Sequence, residues 1–254
     1  MELEVDRDIG LSNLFELQDH ALVHNFQQSS WAQGASTILA RSIRLNLSIL
    51  GSMQFPAEKQ TTIRCFSVDT LSHIVIAARL GLWGALPESL SVLRGGKESC
   101  AQLFYAIEAQ RYQTAILEGK KRFKQLDFEK VCSELGDLGR DLKRDHDEIS
   151  NQASHSTAAR FRQTEYQSGE DVYDRLGFAI NPPSAEEALC RCILPSLMVG
   201  DSFECAYSQD GLPFKWKENL REVAKVHSEF IEEFLRSKKK RADETRESAQ
   251  AKPE

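Results

Sequence analysis

Apolar residues recur at the spacing of an α-helix along almost the whole chain, and this periodicity is the feature that most constrains the fold. The stripe in residues 57–80 consists of Ile63, Phe66, Leu71, Ile74, Val75 and Ala78. Comparable stripes run through residues 11–30, 35–50 (where Leu47 points inward), 86–117, 127–149 and 215–237. No run of alternating β-branched residues bounded by tight-turn dipeptides, which would indicate strands, is present. The pattern predicts an all-α fold, a single bundle of about six to eight helices.

Two segments lack this periodicity. Residues 151–183 are polar and contain Gly169 and Gly177, which predicts a long polar loop. Residues 238–254 follow the last large apolar residue and predict a disordered basic tail. The four cations at 238–241 either contact phosphates or complement the end of the preceding helix. The predicted domain is therefore a bundle over residues 1–237, with a core at 35–237 and a helical arm at 1–34.

Local signals place some helix ends. Ser184 and Glu187 match the capping box that precedes a helix, and Pro195 is expected to kink or end that helix. Gly95 and Gly96 mark either a weak point or a close contact between helices. These residues predict where helices start, bend and meet.

Composition limits the class of protein and its compartment. A net charge of −6 and 28% charged residues indicate an ordinary globular chain without a general attraction to polyanions. The N-terminus lacks the pattern of a signal peptide, and the apolar residues 71–86 are interrupted by His73 and Arg79, which favours a core helix. We therefore expect a cytoplasmic protein without membrane association, whose six cysteines stay reduced and behave as small buried residues.

Motifs for nucleotides and metals are not matched. Residues 95–99 look like the end of a phosphate-binding loop, but Ser91 replaces its first glycine and no strand precedes it. His20 and His24 have the spacing of a metal-ligand pair, yet a solvated helix face explains them as well. Cys190 and Cys192 would point about 200° apart on a helix. We predict no cofactor and no metal.

A polar cluster follows the charged helix at residues 127–149. It contains Asn151 and His155, and an earlier helix carries Arg94 and Glu98. The pattern of Asn-x-x-x-His after a charged helix, with Arg-x-x-x-Glu on a preceding one, resembles the HEPN-like helical bundles of prokaryotic defence and toxin systems over about residues 57–160. The resemblance implies metal-independent RNA cleavage, usually in a homodimer that brings two such motifs together.

The resemblance also implies roles for individual residues. His155 would transfer a proton, and Asn151 would orient the phosphate. Arg94, near Glu98, or Arg144 would stabilise the charge on that phosphate. In the family an arginine lies about five to seven positions before the histidine, whereas Arg144 is eleven residues before His155, about 16 Å along a helix. A helix-end hydrogen bond for His155 and an intrahelical Arg94–Glu98 ion pair are the alternatives.

Two further basic features have alternative explanations. Lys120, Lys121, Arg122 and Lys124 surround Phe123, a pattern that binds nucleic acid or forms a solvated turn. Arg79, a second candidate to complete the phosphate site, stands in the most apolar helix. Since an unpaired buried charge is costly, we expect Arg79 to pair with Glu98 or Asp69.

Arg144 is farther from His155 than the spacing in the HEPN-like family, which favours a non-catalytic, HEPN-like module that binds a partner or regulates one. In that case the apolar faces of the first and last helices would join a second chain, as a homodimer or with another helical protein. The alternative is a metal-independent endoribonuclease that uses His155. A small-molecule pocket between helices is a third class, because helical bundles hold ligands without a local motif.

Overall fold

The computed structural model describes residues 11–52, 57–108, 128–153, 182–207 and 211–250. Every regular element in these ranges is a helix, which confirms the predicted all-α bundle. The eight helices are α1 (Leu11–Gln27), α2 (Ser30–Ser52), α3 (Ala57–Leu82), α4 (Leu86–Glu108), α5 (Phe128–Glu134), α6 (Gly136–Ala153), α7 (Pro182–Ala206) and α8 (Phe214–Gln250).

Helix α7 is the centre of the bundle, and 16 of its 25 residues are buried. It contacts α1, α2, α3, α4 and α8, while α3 packs along α4 and α6 packs on α4. The main core lies between α2, α3, α4, α7 and α8, and its fully buried members include Ile74, Leu90, Ile193 and Phe203. A smaller cluster around Phe104 and Val131 joins α4 to α5 and α6.

Buried polar groups link the helices at defined points. Asn46 donates a hydrogen bond from its side-chain amide to the Ser196 carbonyl at 2.7 Å, and the hydroxyls of Ser42 and Ser196 are 2.8 Å apart. The indole N–H of Trp216 donates to the Leu45 carbonyl at 2.9 Å. Because a buried polar atom without a partner is costly, these bonds fix how α2 lies against α7 and α8.

The turn between α3 and α4 depends on a glycine. Gly84 has φ of 83°, which favours glycine, and its N–H donates to the Gly81 carbonyl at 2.9 Å. The Ala85 N–H donates to the Leu80 carbonyl at 2.9 Å, which completes a Schellman ending for α3. The chain therefore reverses within three residues and lays α4 back along α3.

Gly95 and Gly96 lie where α4 meets α3. A Cβ on Gly96 would be 3.0 Å from the Cβ of His73, and one on Gly95 would be 3.0 Å from the same imidazole. The interpretation as a close helix contact is therefore confirmed.

Helix α3 is apolar around much of its circumference. In the described part of the chain, one helical segment, Thr61–Leu82 of α3, has the length and composition that would suit a membrane span. Ile63, Phe66 and Ile74 of this helix are nevertheless buried against the rest of the bundle. This arrangement is compatible with the core helix of a soluble protein, as expected for residues 71–86.

Some predicted core positions lie on the outside. Val75 of α3 and Leu47 of α2 are each about half exposed, so the expectation that both point inward is wrong. Ile74 and Ile49 take the inward positions instead. In both helices apolar residues are so frequent that the stripe is wider than the face that packs.

Residues 128–153 form two helices, where the sequence predicted one helix over residues 127–149. Gly136, with φ of 63°, separates α5 from α6. Gly139 then lies so close to the Cys132 carbonyl that a Cβ there would overlap it. The glycines therefore interrupt the predicted single helix, and α5 and α6 contact each other.

Helix α7 begins at Pro182, two residues before the predicted start at Ser184, and α6 extends to Ala153. Proline is accommodated in the first turn of a helix because the N–H groups there have no intrahelical acceptor. Pro195 does not end α7, which continues to Ala206. The remainder of the predicted loop, residues 154–181, lies outside the described residues.

The prediction of a disordered tail is wrong for residues 238–250, which continue α8. Lys238 contacts Glu187 at 2.8 Å and Arg241 contacts Glu186 at 3.0 Å, so the first basic residues are held against α7. Lys240 and Glu244 are 3.8 Å apart one turn along the helix. Ion pairs therefore extend the helix where apolar contacts end.

The cysteines fall into two groups. Cys100, Cys132, Cys190 and Cys192 are buried, as predicted, while Cys65 and Cys205 are exposed, contrary to the prediction. Burial raises the pKa of Cys100 and Cys192 to about 12, so these two remain thiols at neutral pH.

Candidate ligand-binding site

Arg94 and Glu98 form an intrahelical ion pair with a 3.6 Å separation, as one of the two interpretations expected. The histidine that contacts Glu98 is His146 of α6, whose Nε2 donates to the carboxylate at 3.1 Å. This hydrogen bond is the main reason why the pKa of Glu98 is lowered. The imidazole of His146 also packs against the Phe128 ring at 4.2 Å between centroids. Residues 94, 98 and 146 thus form a polar contact between α4 and α6.

The other predicted site residues are separate from this contact or are not described. Arg144 is largely exposed and pairs with Asp141 at 3.0 Å, and Asn151 is exposed in the last turn of α6. His155 and the basic residues Lys120, Lys121, Arg122 and Lys124 lie outside the described residues.

The expected pairing of Arg79 with Glu98 or Asp69 is wrong. Arg79 is exposed, and its guanidinium lies over the ring of Trp83 at 4.9 Å. Asp69 instead accepts a hydrogen bond from Ser99. Because Arg79 is on the outer face of α3, it has no need of a buried carboxylate.

A cavity of about 690 Å³ lies between α6, α7 and α8, with α4 behind it. It is lined by apolar and ionisable side chains from all four helices: Lys97, Leu138, Asp141, Leu142, Arg144, Asp145, Glu148, Glu187, Cys190, Arg191, Leu194, Pro195, Met198, Asp201, His227, Ile231, Phe234, Leu235 and Lys238.

Lys97 enters the cavity from α4 and is the largest fully buried polar side chain among the described residues. Its ammonium contacts the Asp145 carboxylate. Burial and the nearby charge of Arg191 lower the pKa of Lys97 to about 7. The charge of Glu148 acts in the opposite direction and favours the protonated form, but burial outweighs it.

Arg191 of α7 joins three helices through carboxylates. It contacts Glu148 of α6 at 2.7 Å and Glu187, one turn earlier on α7, at 3.1 Å. Lys238 of α8 approaches the same Glu187 at 2.8 Å. Burial acts to raise the pKa of Glu187, but the hydrogen bond and charge of Lys238 lower it overall. One end of the cavity is therefore a closed network of paired charges.

The middle of the cavity is apolar. Leu194 and Met198 follow Arg191 at successive turns of α7, and Phe234 faces them from α8. Beyond them lie Asp201 of α7 and His227 of α8. The cavity thus has a charged end, an apolar middle and a second polar end.

The sequence contains a signal for the charged end that belongs to no motif. On α4, buried Leu90, Leu93, Ala101 and Phe104 follow one stripe, and Lys97 occupies the position on that stripe between Leu93 and Ala101. A lysine on a core stripe predicts a buried, partnered charge. The partners on α6, α7 and α8 are 48 or more residues away, so no local motif identifies them.

Metal coordination has no support in the described residues, where no group of three or more His, Cys, Asp and Glu side chains is arranged around a common point. His20 and His24 lie with their ring centroids 6.2 Å apart on α1. The cavity itself is lined by charged, polar and apolar side chains.

No protein-family model, curated protein or solved structure matches this chain.

Proposed function

We propose that this protein is a non-catalytic binding or regulatory module, and that its binding site is the cavity between α6, α7 and α8. The observation that carries this proposal is the cavity itself, about 690 Å³ with apolar walls and charged ends. Ligand sites typically measure about 300–1,000 Å³ and combine apolar walls with a few polar groups.

The pairing of the charges favours binding over catalysis. Lys97, Arg191 and Lys238 each contact a carboxylate. A group that acts as acid, base or nucleophile must reach the reacting atoms. Each of these three cations instead contacts a carboxylate in the wall of the cavity.

A tryptophan at position 194 should block the cavity. Leu194 lines it and is 46% exposed, so the larger ring can enter the cavity without displacing a buried residue. We expect Leu194→Trp to weaken binding of an uncharged apolar dye, such as N-phenyl-1-naphthylamine, at least tenfold in a fluorescence titration.

Leu47→Trp is the matched control. Leu47 is 52% exposed on α2 and does not line the cavity. Dye binding should be unchanged in this variant. Equal dye affinity in the two variants, or no binding by the natural protein, would contradict the proposal.

The module need not use its last helix to join a partner. The apolar face of α8 packs within the chain, where Leu220 and Val223 are buried and Phe234 contacts Trp31 at 5.5 Å. We propose a cytoplasmic, HEPN-like protein of a defence or stress system, in which a helical partner would bind elsewhere on the surface.

Endoribonuclease activity is the second proposal, and the spacing of an arginine and a histidine in α6 favours it. Arg140 stands six positions before His146, within the spacing of the HEPN-like family, and His146 contacts Glu98.

Under this proposal, the purified protein should cleave labelled RNA in the presence of EDTA. Either His155→Ala or His146→Ala should abolish cleavage, whereas the control variant His20→Ala should not. A homodimer would then show about twice the 28.7 kDa mass of one chain by light scattering.

A further inference from the structure

The charges that line the cavity are matched except for one carboxylate. The matched contacts are Lys97 with Asp145, Arg191 with Glu148 and Glu187, Lys238 with Glu187, and Arg144 with Asp141. Asp201 lines the same cavity and forms no ion pair with any residue in the described ranges. Asp201 is therefore the one carboxylate among the described residues that line the cavity without a cationic partner.

Asp201 lies at the opposite end of the cavity from the paired charges. It follows Arg191 by ten residues on α7, which is about 15 Å along a helix. Leu194 and Met198 lie between them, and Ile231 and Phe234 of α8 also line the cavity. An elongated apolar body therefore has room beside the carboxylate.

The groups around Asp201 do not neutralise it. Glu204 lies one turn further along α7 and adds a second negative charge, while Cys100 of α4 is a neutral thiol. The α6 wall contributes the mutually paired Asp141 and Arg144.

From α8, His227 lines the cavity, and burial lowers the pKa of this histidine, so it is neutral at pH 7. Asp201 is exposed, yet loss of part of the water around its carboxylate and the charge of Glu204 raise its pKa to about 6. A ligand cation would supply the positive charge that the protein does not.

We propose that the cavity binds a small amphipathic organic cation, whose positively charged nitrogen pairs with Asp201 and whose apolar body lies along Leu194, Met198 and Phe234. This inference rests on the proposed function, because it names the class of ligand for the same cavity. The apolar body supplies most of the affinity through burial, and the carboxylate selects the sign of the head group.

Matched probes of equal chain length test this inference. By isothermal titration calorimetry at pH 7.5, n-octyltrimethylammonium should bind at least tenfold more tightly than octanoate or octanol. Tetramethylammonium, which has the charge without the apolar body, should bind too weakly to measure. Octanoate binding as tightly as the ammonium probe would overturn the inference.

The carboxylate is tested by Asp201→Asn, which keeps the shape of the side chain and removes its charge. Affinity for n-octyltrimethylammonium should fall about tenfold, while octanol binding stays unchanged. Asp243→Asn on the exposed part of α8, outside the cavity, is the control and should match the natural protein. Unchanged ammonium affinity in Asp201→Asn would overturn the inference.

The pH dependence supplies a readout that a purely structural role would not give. The probe keeps its charge at every pH, whereas Asp201 loses its charge as the pH falls through about 6. Affinity of the natural protein should therefore fall at least tenfold between pH 7.5 and pH 5. Lys97 of α4 lines the same cavity and, with a pKa of about 7, gains a proton in the same range. Lys97→Met should therefore keep the fall that Asp201 causes, whereas Asp201→Asn should lose most of it. His227→Gln should retain it, and a dependence that disappears in His227→Gln would overturn the assignment to Asp201.

Failure of the ligand class and failure of the cavity are distinguishable. If the apolar dye binds and Leu194→Trp blocks it, but the ammonium probe shows no preference, the cavity is a binding site for another class. If neither dye nor probe binds, the proposed function itself is wrong.

Discussion

Replacing Gly81 with alanine is expected to lower the free energy of unfolding by about 3 kcal/mol, the upper range for overpacking a core. Gly81 lies where α3 contacts α7, and an added Cβ would overlap the Cβ of Ala188. Ala188 is fully buried and its methyl group is attached directly to the α7 backbone, so it cannot rotate away. The two helices would have to separate across the main core.

Urea unfolding measures this effect, with Gly51→Ala as the matched control. Gly51 is exposed near the end of α2, and a Cβ there meets nothing within 4 Å. Alanine is the better helix former, so the control should be more stable than the natural protein by up to about 1 kcal/mol. A Gly81→Ala protein as stable as this control would show that α3 and α7 do not approach as closely as described.

Replacing Lys97 with methionine is expected to make the variant more stable, relative to the natural protein, at pH 7 than at pH 9.5. Burial lowers the pKa of Lys97 from 10.5 to about 7 in the folded protein. Between these values the unfolded chain holds more protons, so the lysine contributes stability that rises with pH across this window. The full span corresponds to a penalty on the order of 5 kcal/mol below pH 7.

Methionine has a similar length and no charge, so it should remove this dependence while filling the same space. The measurement is the difference in unfolding free energy between variant and natural protein at pH 7 and pH 9.5. Taking the difference cancels other groups, such as Tyr207, whose pKa is raised by burial. Lys225→Met on the exposed face of α8 should show no such difference. A Lys97→Met protein with the pH dependence of the natural protein would contradict the buried position of this lysine.

Local periodicity was sufficient to predict the class of fold and most of the helices. The stripes that predicted helices at residues 35–50 and 57–80 correspond to α2 and α3. The period was misleading where a glycine separates two helices, because Leu135 and Leu138 continue the stripe across Gly136. Positive φ at one residue changes the direction of the chain without changing the spacing of its apolar residues.

The prediction of a disordered tail was wrong for a different reason. Apolar residues end near Leu235, so a rule based on burial ends the helix there. The helix continues because Lys238 and Arg241 find carboxylates at the start of α7. Those partners are about 50 residues earlier in the chain and are recognisable only after folding.

In the candidate site, too, some contacts could be predicted from the sequence and others could not. The Arg94–Glu98 ion pair follows from a spacing of four residues on one helix, and the sequence predicted it. That His146 contacts Glu98, and that Lys97 contacts Asp145, depends on how α6 lies against α4. The resemblance to HEPN-like bundles depends on His155, which lies outside the described ranges.

By itself, the sequence determined that this chain forms helices, which of their faces are rich in apolar residues, and that Lys97 occupies a core stripe. Those properties depend on neighbours within one or two helical turns. The tertiary structure alone decided which apolar faces are covered, which carboxylate meets each buried cation, and that Asp201 meets none in the described part of the chain. These outcomes depend on the packing of helices that are distant in sequence, and charge balance in a shared cavity is a property of all its walls together.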